Sequence, residues 1–368
     1  MANLLWFIGA GASAAFGIPT MQKMVTDFEQ ELKERASQAE IDLYEDVRSF
    51  LIANLGRPVD LEAVFSVIDS IISWSPDRVG PSALYHAVRS LVPKLRGGGE
   101  VSDAIPRLST PTPDQVETAR TLRQRFEELV RSKCEIPEAE LSHVQTAYRT
   151  VFERVGQQVG GASWHGNTPV SDWPIFTTNY DPVLERYWVD FAKYPLNTGF
   201  SWNEVAGMKV SNPDQLRSGN GVRLFKLHGS ITWLNDPDYG LTEQRVVPKD
   251  MKKWTGSRFL GQVMLYPIEE KALFVDPYMT MFLQLNRELA TTPYWFVIGY
   301  SFGDRFIREI FMRNSKQGVR LVLLHPHADQ IAKQLDGFKG RLELVRERFG
   351  GDDMEAVCQA VSIAFRKG

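Results

Sequence analysis

Residues 5 to 20, Leu-Trp-Phe-Ile-Gly-Ala-Gly-Ala-Ser-Ala-Ala-Phe-Gly-Ile-Pro-Thr, constrain the fold most, because an apolar run passes directly into a glycine turn. The pattern predicts a strand, a tight turn and the start of a helix. Gly9 allows the turn, Gly11 lets the backbone approach a pyrophosphate, and Ala14 is small enough for a helix to pack on the strand, which gives G-x-G-x-x-A. Amides at the helix start, around Ala10, would then face an anion. Such turns also occur for purely structural reasons, and Ser13 reads either as a phosphate contact or as local backbone bonding.

A nicotinamide-dependent dehydrogenase would place a second strand after the first helix, ending in an acidic residue that holds a ribose. This chain continues differently. Met21, Met24, Val25, Phe28 and Leu32 recur at helical spacing, so Glu29 and Glu31 belong to a helix and read as its solvated face. Gly17-Ile18-Pro19 interrupts the helix early and reads as a loop covering a ligand, with Ile18 and Pro19 in contact with it.

Three later apolar runs end in polar residues. Pro174–Thr178 leads into Asn179-Tyr180-Asp181, Val222–Leu227 into His228-Gly229-Ser230, and Tyr294–Ile298 into Gly299-Tyr300-Ser301-Phe302-Gly303-Asp304. In an open parallel sheet the carboxyl ends of the strands line the binding crevice, so these segments and the glycine turn are expected to converge.

Taken in order, Gly9 to Pro19, Thr177 to Asp181, His228-Gly229 and Gly299 to Ser301 resemble the sirtuin family of NAD-consuming proteins. The resemblance implies an α/β fold, a Rossmann-like doubly wound parallel sheet formed by residues 1–35 and 170–368, with a large helical insertion over 36–169. It implies that Asn179 and Asp181 hold the nicotinamide ribose and the reactive end of NAD, beside Thr178, and that His228 is the base or orienting group. Gly299 and Ser301 would line the phosphate and ribose side.

The departures narrow the chemistry. Cys134 and Cys358 are the only two cysteines and form no C-x-x-C pair, so the four-cysteine zinc module of protein-deacylating sirtuins cannot be built. What remains is cleavage of the nicotinamide–ribose bond of NAD with water as acceptor, with no metal required. This is similar to the sirtuin-like effectors of bacterial anti-phage defence, which deplete NAD in abortive infection. A neutral imidazole at His228 would accept a proton from a ribose hydroxyl or water, and Asn179 would fix the ribose or the attacking water. The competing readings are a module that senses NAD or ADP-ribose without turnover and a zinc-free deacylase.

Several residues carry two readings. Asp181 precedes Pro182 and a helix-like run, so it is a good N-cap as well as a ligand contact. His325 and His327 flank Pro326 after the run Val319–Leu324, where either an adenosine ribose or a plain polar strand exit fits. His86, His143 and His165 have no spacing that makes a ligand set.

The chain has 368 residues, 43% hydrophobic and 24% charged, with a net charge of −3, which gives no basic field for nucleic acid. No run approaches a membrane span and two isolated cysteines fit a reducing compartment, so a cytoplasmic location is expected. Within the insertion, helices are predicted from Leu61 with Asp60 as cap, over 84–95, over Val116–Val130 and over Ala139–Val155, with a loop around Gly97-Gly98-Gly99. An unregulated NAD hydrolase would harm its own cell. The resemblance therefore implies outside control through a homo-oligomer or a separately encoded partner such as a HerA-type ATPase or a short Argonaute.

Overall fold

The computed structural model describes residues 4–55, 61–72, 111–159, 163–165, 168–170, 173–217, 221–236, 238–243, 262–264 and 276–366. Asp60, His86, the 84–95 helix and the triple glycine at 97–99 lie outside these. The strands are β1 (Leu4–Ile8), β2 (Ser163–His165), β3 (Thr168–Val170), β4 (Pro174–Thr177), β5 (Leu196–Asn197), β6 (Phe200–Asn203) and β7 (Met208–Ser211). They continue with β8 (Val222–Lys226), β9 (Gly229–Asp236), β10 (Gly240–Glu243), β11 (Gln262–Met264), β12 (Tyr294–Ile298), β13 (Arg320–Leu324) and β14 (Arg341–Val345).

Seven strands form a parallel sheet in the order β14-β13-β12-β1-β4-β8-β5. All five residues of β1 are buried, as expected of a strand covered on both faces, whose sequence is then a continuous apolar run. The pleat sends successive side chains to opposite faces. Trp6 packs on Phe152 of helix α5 (Leu141–Val159) at 4.7 Å, whereas Phe7 packs on Phe311 of helix α8 (Arg305–Asn314), which follows α7 (Tyr278–Thr291), at 5.2 Å. Helices therefore cover both faces, and the α/β expectation of a parallel, doubly wound sheet holds. From β1 the chain builds outward through β4 and β8, then returns to β1's other side with β12, so the order reverses between β1 and β12.

A second sheet, antiparallel and in the order β11-β9-β10-β7-β6, was not anticipated by the sequence reading. Its register comes from hairpins, as in β9–β10, where Asp236 faces Gly240 and its Oδ1 accepts the Asp238 and Tyr239 amides at 2.9 and 3.2 Å. Gly229, at φ +90°, turns the chain from β8 into β9 and so fixes where His228 emerges.

Contacts divide the chain into two units: residues 1–19, 134–265 and 272–368 hold the sheets, and 20–133 with 266–271 form the other. The second unit contains α1 (Met21–Arg35), α2 (Gln38–Leu55), α3 (Leu61–Ile72) and α4 (Pro113–Cys134, of which the last residue belongs to the first unit). Met24, Phe28 and Leu32 form the buried stripe of α1, and Phe28 meets Tyr44, Phe65 and Phe126 edge-on. Phe65 and Phe126 stack at 4.0 Å. A capping box starts α2: the Ser37 amide donates to Glu40 Oε2 at 2.8 Å and the Glu40 amide to Ser37 Oγ at 3.4 Å.

After β1 the structure departs from the sequence reading. No α-helix opens at the glycine turn. Two short 3-10 turns, Ala10–Ala12 and Ala14–Phe16, follow, and the second ends at Gly17 with φ +80°. The tighter winding changes which side faces the sheet, so Ala12 is buried and Ala14 is exposed; packing on the strand does not require a small residue at 14. The first α-helix begins only at Met21.

Candidate functional site

The carboxyl ends of β1, β4, β8 and β12 carry the glycine turn, Asn179 with Asp181, His228, and Gly299 to Asp304, respectively. These strands are consecutive across the point where the order reverses, where open α/β sheets form their crevice.

The three glycines at this rim serve each other. The Gly9 amide donates to Ile298 O and the Gly11 amide to Gly299 O, both at 2.9 Å. A Cβ on Gly11 would stand 2.8 Å from Gly299 O, and one on Gly299, whose φ is +63°, would stand 2.2 Å from the Ala12 nitrogen. Ala12 and Ser13 amides are also bonded, to Gly9 O and Ala10 O. Gly11, expected to let the backbone approach a pyrophosphate, has the Gly299 backbone as its near neighbour in the structure. The close approach is between the β1 and β12 turns, and the amides of Gly9, Gly11, Ala12 and Ser13 are already satisfied.

Asn179 is held by the neighbouring strand end. Thr177 Oγ1 donates to Ile8 O at 2.8 Å and accepts the Asn179 amide at 3.0 Å. The two hydrogens of Asn179 Nδ2 go to Gly9 O at 3.2 Å and Ser13 Oγ at 3.1 Å. A carbonyl can only accept, so Gly9 O fixes which way the amide points. Asn179 Oδ1 is left buried with no hydrogen-bond partner. Ser13 is thus engaged by Asn179 and also lies against Asp181.

Asp181 caps the following helix: its Oδ1 accepts the Val183 amide at 3.1 Å. That helix, α6 (Val183–Arg186), continues as a π turn over Tyr187–Phe191. Behind Asp181 sits Lys226, whose Nζ donates to Asp181 O at 2.6 Å and Glu185 Oε1 at 2.8 Å, with its side chain 1% exposed. Burial pushes the Asp181 and Glu185 carboxyls up from their ordinary values, while the Lys226 charge draws both down. Lys226→Met removes the cation from this cluster and is expected to lower stability by about 3 kcal/mol in urea unfolding. Adding Glu185→Gln should recover part of the loss; equal stabilities of wild type and Lys226→Met would refute the ion cluster.

His228 is buried, and its Nε2 lies 3.2 Å from Asp304 Oδ2. The other oxygen of Asp304 caps α8, accepting the Phe306 and Ile307 amides at 2.8 and 3.1 Å. Burial would raise the Asp304 carboxyl, but the hydrogen bond and charge of His228, with the two amides, hold it below its ordinary value. The loop between β12 and Asp304 is held in an unusual conformation: Phe302 takes φ +56°, is fully buried and packs edge-on against Phe311 at 5.1 Å. The sequence reading missed Asp304 as a partner of His228. Its signal was the Asp-x-Phe-Ile cap pattern after a strand, which announces a helix but not an imidazole.

The remaining candidates are spread more widely. Thr178 is half-buried, Ala10 and Ser301 are exposed, Ile18 is buried and Pro19 half-buried. His325 Nδ1 accepts the His327 amide at 2.9 Å, the geometry of a polar strand exit. His143 bridges Glu140 Oε2 and Gly350 O at 3.1 and 2.8 Å, a structural role. Cys134 and Cys358 are buried and unbridged, and burial pushes the Cys358 thiol up to about 12. Among the described residues, no group of three His, Cys, Asp or Glu stands together as a metal site.

Residues 174–336 match the SIR2-like domain model. The matched stretch contains Asn179, Asp181, His228, Gly299 to Asp304 and His325, and begins after the glycine turn of β1. No curated protein matches the chain by sequence. Among solved structures, the chain is similar to a Sir2 homologue mutant in complex with 2′-O-acetyl ADP ribose, at 13% identity and TM-score 0.43, over 100% of this chain and 94% of that one. It is also similar to a Sir2 homologue–NAD complex, at 14% identity and TM-score 0.42, over 98% and 90%. Within the SIR2-like stretch, the Asn179 and His228 strand exits adjoin: the Leu227 amide donates to Thr177 O at 2.8 Å.

Proposed function

We propose that this chain is an NAD hydrolase, cleaving the nicotinamide–ribose bond with water to give nicotinamide, ADP-ribose and a proton. The observation that carries the reading is the orphaned Asn179 Oδ1, a buried acceptor fixed in direction by Gly9 O. A buried acceptor without a partner is costly, and a donor from a bound molecule relieves it. A ribose hydroxyl or a water is such a donor. The SIR2-like match and the order of the motifs support NAD as the source of that ribose.

The C–N bond breaks with its electron pair passing to the pyridinium ring, so nicotinamide leaves neutral and positive charge develops on the ribose. His228 accepts the proton from the attacking water or a ribose hydroxyl. Asn179 holds the sugar or the water in place. The Asp181 carboxyl, which caps the following helix through Val183 and feels the Lys226 charge, lies against Ser13 and Asn179 as the group that favours developing positive charge. With only two cysteines in the chain, an acyl-lysine site supported by a four-cysteine zinc module is disfavoured.

The proposal extends to control of the activity. A hydrolase that depletes NAD in defence against phage must be held inactive until triggered, by self-assembly or by a separate protein such as a HerA-type ATPase or a short Argonaute. No helix among the described residues is long and apolar enough to cross a membrane. Co-purification with candidate partners, and the oligomeric state before and after triggering, test this extension.

The activity itself is tested by chromatography of NAD incubated with the purified chain, with and without an acyl-lysine peptide. Nicotinamide and ADP-ribose formed without peptide support hydrolysis. Products formed only with peptide would make the chain a deacylase, and NAD binding without products would make it a sensor.

A further inference from the structure

We propose that Asp304 is a positioning residue for His228, fixing the ring in one tautomer with its proton on Nε2. The inference rests on the hydrolase reading for its kinetic consequence but not for its geometry.

The two oxygens of Asp304 have different partners. Oδ1 takes both helix amides, at 2.8 and 3.1 Å, and this alone completes the cap of α8. Serine, threonine or asparagine would serve a cap equally well. Oδ2 faces His228 Nε2 at 3.2 Å, and only a carboxylate offers this second, charged acceptor. The pair is removed from water, with side chains 6% and 8% exposed, so the contact is not a loose surface pair. A carboxylate has no proton to give, so the shared hydrogen belongs to Nε2. The neutral ring then carries its lone pair on Nδ1.

The position of this bond in the fold matters as well. Strands β12 and β8 are separated by β1 and β4, so three strand spacings of about 4.8 Å lie between them. The bond is made because the loop after β12 reaches across those strand ends. Buried Phe302 at φ +56° and the Arg308 Nη1 bond to Phe302 O at 2.9 Å hold that loop. Asp304 therefore arrives as part of a fixed backbone rather than on a flexible side chain, and its orientation is passed to the imidazole.

The test uses Asp304→Asn in the full-length chain. Asparagine keeps the cap but presents an NH2 to Nε2, which forces Nε2 to accept and moves the ring proton to Nδ1. Histidine labelled with 15N in its ring, with His228→Gln to identify the resonance, reports the tautomer at a pH where the ring is neutral. Wild type should show Nε2–H and Asp304→Asn should show Nδ1–H, with unchanged melting temperature. The kcat for nicotinamide release should fall by on the order of 10²-fold or more, with KM little changed. Asp304→Ser, which retains a cap and lacks the second acceptor, repeats the measurement if the asparagine variant is unstable. An unchanged tautomer, or Nδ1–H in wild type, would overturn the inference. A tautomer change together with no nicotinamide release by wild type would remove the hydrolase reading and leave the positioning of His228 intact.

Discussion

Substituting His228 by alanine should reduce nicotinamide release from NAD by about 10²–10⁴-fold, the range general acid–base groups contribute. The side chain is buried at a strand exit and held by Asp304, so its removal deletes the proposed proton acceptor while the strands on either side remain packed. Asn179→Ala should be comparably damaging for a different reason, since it removes both the orphan acceptor and the ties to Gly9 O and Ser13 Oγ. The two losses should separate in kinetics. His228→Ala lowers kcat with KM nearly unchanged, because a proton is moved only as the reaction proceeds, whereas Asn179→Ala also raises KM by weakening the hold on the ribose. Initial rates over a range of NAD concentrations, on variants shown to be folded by circular dichroism, give both constants. Activity of folded His228→Ala within a few-fold of wild type would remove His228 from the chemistry.

Gly299→Ala should destabilise the chain by about 4–5 kcal/mol, among the largest effects of a single methyl group. Two penalties combine. At φ +63° any residue with a Cβ carries about 1–2 kcal/mol of backbone strain, and here the new carbon would also lie 2.2 Å from the Ala12 nitrogen and 2.5 Å from the Gly11 carbonyl carbon. Both of those are backbone atoms that no rotamer change can move aside, so the turn after β1 must separate from the turn after β12. Gly318→Ala is the control: it has φ +90° with nothing within 4 Å, so only the conformational penalty remains and the loss should be about 1 kcal/mol. Urea unfolding of the two variants isolates the steric contribution. If Gly299→Ala were no less stable than Gly318→Ala, the contact between the two turns would not be as described.

The same pair of turns shows how far a single sequence carries the argument. Leu4–Ile8 and Tyr294–Ile298 are recognisable as interior strands because a strand covered on both faces must be apolar at every position, and that requirement is local. The buried stripe of Met24, Phe28 and Leu32 is local in the same way, as is the Asp181 cap ahead of Val183. The short strands Phe200–Asn203, Met208–Ser211 and Gly240–Glu243 are mixed in character and gain their order from hairpin partners, so the antiparallel sheet they form was not legible.

For the candidate site, the sequence determined which residue types emerge at the strand ends: glycines after β1 and β12, asparagine and aspartate after β4, histidine after β8. Only the tertiary structure decided what they do to one another. Gly11 and Gly299 are close neighbours because β1 and β12 are adjacent, although a glycine turn read alone suits an anion equally well. The direction of the Asn179 amide depends on a carbonyl 170 residues away, and the tie between His228 and Asp304 spans 76 residues. Hydrogen bonds require positions correct to a few tenths of an ångström. Strand order and the path of the β12 loop set those positions, and neither is written in the local periodicity that makes the strands and helices themselves readable.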